Sequence, residues 1–200
     1  VLETNPDNPN QYKFDGAWRD LEVRTAPLHV KLLGYLIWPV EQEFLWSVYG
    51  PVVRRSHGTY AIRYAGYGRV DVFQQLYQMN KATNFDEWRT ALAGGGLPMF
   101  NVGYADRAGN IYYAYNGMLP LRQEGWDWSL YLPGDTSANL WTETLPFDQL
   151  PQVLNPPSGF IFNANSTPYQ TTTGPGNPDP SRYSPTFGIE TRMTNRANRG

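Results

Sequence analysis

Apolar residues recur at every second position through the early part of this chain: Leu21 and Val23, then Leu28, Val30 and Leu32. A period of two gathers such side chains on one face of an extended strand, whereas a helix of period 3.6 spreads them around its axis. Trp18–Trp38 therefore reads as strands with a loop near Ala26-Pro27, and the β pattern returns at Glu43–Val53 and Thr59–Gly66. The period then changes. Val72, Phe73, Leu76 and Met79 fall at helical spacing, which predicts a helix over Val70–Asn80. A second helix is predicted behind Asn84, whose amide suits an N-cap, with Asp86 and Glu87 in its first turn and Gly94–Gly96 ending it.

Further on, Phe100–Ala105 and Ile111–Tyr115 flank a Gly-containing turn, Asp106–Asn110, and predict a β-hairpin. From Leu119 to Pro157, Pro and Gly recur without a period and predict loops. Gly159–Asn165 reads as a strand. The Thr/Pro/Gly-rich stretch "YQTTTGPGNPDPSRYSP" that follows predicts a mobile surface loop, and "FGIETRMTNRANRG" predicts the start of a helix. With 19 Gly, 17 Pro and 15% aromatic residues, the expected class is α+β with a β-rich body. No internal repeat or linker divides the chain, so residues 1–200 are expected to form one domain or part of one. The polar opening "VLETNPDNPNQYKFDG" and the abrupt end suggest an internal fragment of a larger protein.

Composition removes several function classes. A net charge of −2 without a long run of one sign gives no footprint for nucleic acid. No apolar run approaches membrane-spanning length. The absence of cysteine excludes disulfides and thiolate metal sites. No phosphate loop, dinucleotide fingerprint, G-x-S-x-G or H-E-x-x-H is present. His29 and His57 lack an evident carboxylate partner and read as structural or solvated. Asp106 reads as a turn residue, and Asp127 and Asp135 lie in loops where oxygen ligands could meet a cation. The excess of Trp and Tyr fits a core, or alternatively a carbohydrate-binding platform.

Asn163 and Asn165 stand apart from these. They close the apolar run Gly159–Phe162 with one residue between them, so a continued strand would aim both amides from one face. An asparagine there can simply end a strand. Its NH₂ can also donate to a developing oxyanion without titrating, which suits acyl-transfer chemistry.

"GYADRAGNIYYAYNGMLPLRQEGWDWSLYLPG" followed by "LWTETLPFDQLPQVLNPPSGFIFNANSTP" resembles the β-chain of the penicillin acylase family, amidases of the N-terminal nucleophile hydrolase superfamily. The shared order is a D-x-x-G-N-I turn, a P-x-R segment, a P-G, a W-x-x-x-x-P and then N-P-x-S-G-[FY]-[IL]-x-N-x-N-x-x-P. "YKFDGAW", "YGPVV" and "FGIETRMTNRANR" extend the likeness over nearly the whole chain. The resemblance implies part of an αββα sandwich and hydrolysis of a linear amide in an N-acylated small molecule. It further implies an N-terminal Ser nucleophile outside this chain, partner segments in the rest of the β-chain and the α-chain, and a periplasmic or secreted location. Asn165 would be the oxyanion-hole donor and Asn163 a supporting residue. Arg192 would hold the surrounding network and Phe100 would line the acyl pocket. No organic cofactor is implied. A structural calcium ion would draw on the Trp128 carbonyl and on Ser181 or Asp179. Two departures stand out: Tyr49 occupies a place where many relatives have His before Gly-Pro, and His57 lies in an apparent insertion.

Overall fold

The computed structural model describes residues 1–199 as two units, Val1–Tyr64 with Gln123–Leu140, and Ala65–Arg122 with Trp141 onward. In the first unit, β1 (Gln11–Phe14) and β2 (Ala17–Asp20) form an antiparallel hairpin. Its turn is Asp15-Gly16, with φ values of 48° and 81°. Positive φ at both turn positions matches the right-handed twist of the strands, which is why Asp-Gly is favoured there.

A four-stranded antiparallel sheet follows, in the order β3 (Glu22–Leu32), β4 (Leu36–Ser47), β5 (Gly50–Arg55), β6 (Gly58–Ala61). The loop expected at Ala26-Pro27 is absent, because β3 runs straight through and Pro27 pairs with Glu41. Proline is tolerated here because β3 is an edge strand, where only one side of the backbone must supply ladder bonds. The reversal comes at Leu33-Gly34, where φ is 51° and 82°.

Register sorts this long hairpin into two unlike faces. Leu32 opposes Leu36, Val30 opposes Trp38 and Leu28 opposes Val40, and these six share one face at 40–57% exposure. His29, Lys31, Glu41 and Glu43 take the other face, so His29 is a solvated strand residue.

The core of the first unit is Leu2, Tyr12, Leu21, Leu45, Tyr49 and Val52. Residues 123–140 return to close it. The Val1 ammonium donates to the Leu132 carbonyl at 2.6 Å, and the Asp15 carboxylate accepts from the Ser137 N–H at 2.7 Å. A Cβ on Gly134 would sit 2.6 Å from the Leu2 side chain and 2.7 Å from the Val1 carbonyl, so this closure requires glycine. Tyr49 ties the two segments together, with its hydroxyl directed at the Thr136 carbonyl and at Asn139 Oδ1, 2.9 Å away. Burial, reinforced by Asp15 and Asp135, pushes this phenol up to about 12.

In the second unit, α1 (Val72–Lys81) and α2 (Phe85–Leu92) form where the period changes. Asn84 caps α2 by accepting from the Glu87 N–H at 3.0 Å, and the Glu87 carboxylate accepts from the Thr83 N–H at 2.8 Å. The sheet has the order β7 (Met99–Ala105), β8 (Ile111–Gly117), β9 (Gln152–Leu154), all antiparallel. Asp106 closes the β7–β8 turn, accepting from the Asn110 backbone and side chain at 2.9 Å each. The segment read as irregular thus supplies the third strand. A three-residue strand is too short for a period to show.

Alternation gives this sheet two covered faces. Val102, Tyr104, Tyr112 and Ala114 pack under the helices with Phe85, Trp88 and Leu92. Those rings stack on one another, with Trp88 and Tyr104 centroids 4.5 Å apart, and do not form an open carbohydrate platform. Tyr113, Tyr115 and Val153 face the other way, against Leu150, Ile161, Phe187 and Ile189.

Two further expectations are corrected. Gly159–Asn165 joins no sheet among the described residues; its Phe162 N–H donates to the Thr171 carbonyl at 2.7 Å, outside any ladder. The expected helix from Phe187 is also absent among the described residues. A 3-10 turn, Pro185–Phe187, ends at Gly188 with φ 68°, and helical geometry returns only as a turn in which the Asn198 N–H reaches the Thr194 carbonyl at 3.0 Å. The Thr/Pro/Gly-rich stretch between them is anchored. Asn177 Oδ1 accepts from the N–H groups of buried Thr171 and Thr172 at 2.8 and 3.1 Å.

Tyr49→Phe removes the phenolic clasp and keeps the ring. It should lower stability at neutral pH by about 1 kcal/mol in a urea titration. The Tyr49 phenol is raised in the folded state, so its contribution is complete below pH 10 and declines as pH rises towards 12. The Phe variant should accordingly lose less stability than the wild type across that window.

Candidate active site

At Asn165 the chain leaves the extended region: its φ is 55°, in the left-handed well. This is why the strand reading fails, since one left-handed residue breaks the alternation that would have aligned the two amides. Asparagine is among the few side-chain-bearing residues that visit this well readily. The turn is held locally, with Asn163 Oδ1 accepting from the Asn165 backbone N–H at 2.9 Å. Asn163 acts on the backbone of Asn165, and the two amides do not act as parallel donors.

The C-terminal segment laces onto this turn from the side. The Thr167 N–H donates to the Arg192 carbonyl at 3.1 Å, and Thr194 Oγ1 donates to the Ala164 carbonyl at 3.0 Å. Arg196 then reaches across, and its Nη2 donates to Asn165 Oδ1 at 2.5 Å. This contact fixes the carboxamide with oxygen towards the guanidinium. Its Nδ2 is left exposed, with no protein acceptor among the described residues. A cation on the amide oxygen draws electron density from the nitrogen and strengthens Nδ2–H as a donor. The arrangement can therefore present a preorganised, uncharged N–H pair to an anionic oxygen.

The sequence-predicted residues divide around this cluster. Asn163 and Asn165 come together. Arg192 contributes backbone, its N–H donating to Glu190 Oε1 at 2.7 Å, and the guanidinium on Asn165 belongs to Arg196, one helical turn later in sequence. Phe100 is not drawn in: it is 58% exposed, on the face of β7 shared with Val102 and Tyr104, while Asn101 faces Tyr113. Sequence reading missed Arg196, Asn101 and Tyr113. Nothing in spacing marks Arg196, which contacts Asn165 across 31 residues of chain.

Behind the turn lies a buried polar group. Tyr113 is 2% exposed, and its hydroxyl donates to Asn101 Oδ1 at 2.7 Å. Burial drives its phenol far above the usual range, so it remains protonated. Asn163 Nδ2 lies 3.4 Å from the same hydroxyl and 3.3 Å from the Ser166 carbonyl.

The carboxylates near the expected calcium ligands are engaged within their own loops. Asp179 Oδ1 caps a 3-10 turn, accepting from Ser181 N–H and Oγ at 2.9 and 2.8 Å. Asp127 Oδ1 accepts from the Ser129 N–H and Oγ at 3.0 and 2.6 Å. No group of three or more His, Asp or Glu able to hold a metal occurs among the described residues. Among the described residues, no helix is long and apolar enough to cross a membrane.

Comparison with known proteins gives a consistent picture. The penicillin amidase family model matches residues 1–200. Penicillin G acylase of Escherichia coli is 34% identical over 168 residues, 81% of this chain and 19% of that protein. An acyl-homoserine lactone acylase, PvdQ, of Pseudomonas fluorescens is 26% identical over 127 residues, 60% of this chain and 16% of that protein. The solved structure of a thermostable penicillin G acylase from Alcaligenes faecalis superposes with a TM-score of 0.73 at 27% identity, covering 90% of this chain and 32% of that one. The chain thus spans about a fifth of the length of the curated relatives it matches.

The left-handed turn separates backbone strain from side-chain chemistry. Asn165→Ala should destabilise by about 1 kcal/mol, since alanine resists this well. Asn165→Gly should cost less, or nothing, because glycine occupies it freely. Denaturation of the two variants side by side checks the turn. Equal stabilities would mean that Asn165 is not left-handed in solution.

Proposed function

The chain belongs to the penicillin amidase family, whose members hydrolyse amide bonds, and on that premise we propose that it supplies the oxyanion donor of an acylase active site. In this reading the intact protein cleaves the linear amide of an N-acylated small molecule. The amide belongs to the class named by the matched penicillin and acyl-homoserine lactone acylases. The nucleophile, an N-terminal Ser in another part of the precursor, attacks the carbonyl carbon. The carbonyl π electrons move onto oxygen, and the resulting oxyanion accepts from Asn165 Nδ2. Collapse expels the amine with a proton and leaves an acyl-enzyme, which water converts to the free acid and the regenerated Ser.

The observation that carries this reading is the orientation of Asn165. Its oxygen is held by Arg196 at 2.5 Å and its backbone by Asn163 at 2.9 Å, with Nδ2 left over. A donor fixed before reaction needs no reorganisation when charge develops, and this is the condition for a large electrostatic contribution. Arg196 is a positioning residue in the same scheme. We place the intact enzyme in the periplasm or outside the cell, with the remainder of the precursor as its structural partner.

Asn165→Ala, introduced into the intact and correctly processed protein, should lower kcat about 10²–10³-fold on a chromogenic acyl anilide, with little change in KM. Asn165→Gly should be as slow, although it folds better. Asn165→Asp should be no faster, since an ionised carboxylate cannot donate and repels the forming charge. The 200-residue chain alone should not turn over the anilide. A kcat for Asn165→Ala within a few-fold of wild type would sink the assignment.

A further inference from the structure

We infer that Tyr113 and Asn101 are positioning residues for the Asn165 donor, acting through Asn163. The inference rests on the proposed role of Asn165. It starts from a hydrogen-bond chain whose direction is fixed at every link. Asn101 Oδ1 can only accept, so the Tyr113 hydroxyl spends its single hydrogen there, at 2.7 Å. What the hydroxyl then offers to Asn163, 3.4 Å away, is a lone pair, and the Asn163 group facing it is the NH₂. With Nδ2 directed at Tyr113 and the Ser166 carbonyl, Oδ1 faces the other way, onto the Asn165 N–H at 2.9 Å. Reversing the Asn163 amide would set NH₂ against N–H and remove the bond that holds the left-handed turn.

The links differ in strength, and that decides where control lies. Asn163 Nδ2 makes two long bonds, so neither alone fixes its rotamer, and the pair together does. Tyr113 is the better placed of the two. It is 2% exposed, stands on the central strand β8 and is anchored at its far end by Asn101 on β7. A buried hydroxyl with these partners cannot rotate without leaving a polar atom unsatisfied, which costs more than an ordinary hydrogen bond gains. The aligned dipoles from Asn101 to Asn165 polarise one another in one direction. Strand β7 is thereby coupled to the reaction through Asn101, without Phe100 touching the turn.

The competing reading makes Tyr113 an ordinary core tyrosine, and a stability measurement cannot separate the two. Kinetics can. In the intact, processed enzyme, Tyr113→Phe keeps the ring and deletes the hydroxyl. It should lower kcat roughly tenfold with KM unchanged, the loss expected for one positioning hydrogen bond. Combined with Asn165→Ala it should add nothing, since the relay then has no donor to position. Asn101→Leu should behave like Tyr113→Phe, and Asn101→Asp, which keeps an acceptor for the hydroxyl, should recover most of the lost kcat. Should Tyr113→Phe fail to fold, the Leu and Asp variants at position 101 carry the test alone. Wild-type kcat in Tyr113→Phe or Asn101→Leu, or a double variant slowed by the product of the single effects, overturns the relay and leaves the oxyanion reading standing. Wild-type kcat in Asn165→Ala overturns both.

Discussion

The Asn165 backbone N–H donates to the Asn163 carboxamide at 2.9 Å, and the proposed chemistry depends on that bond. It stabilises a left-handed residue, φ 55°, at the end of an otherwise extended segment. Without it the chain would relax towards the β region, at a gain of about 1–2 kcal/mol for most side chains. The Asn165 amide would then swing away from Arg196. Local strain is thus held where the proposed donor points, and the surrounding structure over-determines it. Arg196, Thr194 and the Arg192 carbonyl press on the turn from the C-terminal segment, and Tyr113 supports it from the sheet.

The sheet that gives this support is small and covered on both faces. Tyr112 and Ala114 of β8 pack under α1 and α2, while Tyr113 and Tyr115, alternating with them, pack under the C-terminal segment. Because β8 is central, its side chains cannot shift without moving β7 or β9 as well. A rigid strand carrying a buried hydroxyl is a better reference point for a donor than a loop would be. The loops themselves are pinned in the same manner, by side-chain amides bonded to backbone. Asn177 serves Thr171 and Thr172, Asn155 serves Ile111 at 2.8 Å, and Asn84 starts α2.

Much of this was legible in the sequence, for reasons specific to each residue. Regular periods gave the β character of the long hairpin, though not the place of its turn, along with both helices and the β7–β8 hairpin, and Asn84 gave the start of α2. The paired asparagines marked the candidate site because amides are unusual after a wholly apolar run. Their geometry was not legible, since one positive φ converts a shared face into a turn and leaves the sequence pattern unchanged. Proline misled at position 27: the rule that it breaks strands carries an exception for edges, and which strand is an edge is a tertiary fact. The final helix was misread because Gly188 and the laced segment after it obey contacts made to Ala164 and Thr167, over roughly twenty to thirty residues. Arg192 and Arg196 are a helical turn apart in sequence, and only the observed contact distinguishes them.

The most direct measurement is a crystal structure of the intact enzyme with a tetrahedral analogue, such as an acyl boronate or phosphonate, on its nucleophile. The account predicts that the analogue oxygen standing for the oxyanion lies about 2.7–3.1 Å from Asn165 Nδ2. It also predicts that Arg196 remains on Oδ1 and that the φ of Asn165 stays positive. An oxyanion oxygen bonded elsewhere, or an Asn165 relaxed into extended backbone with its amide turned away, would contradict it.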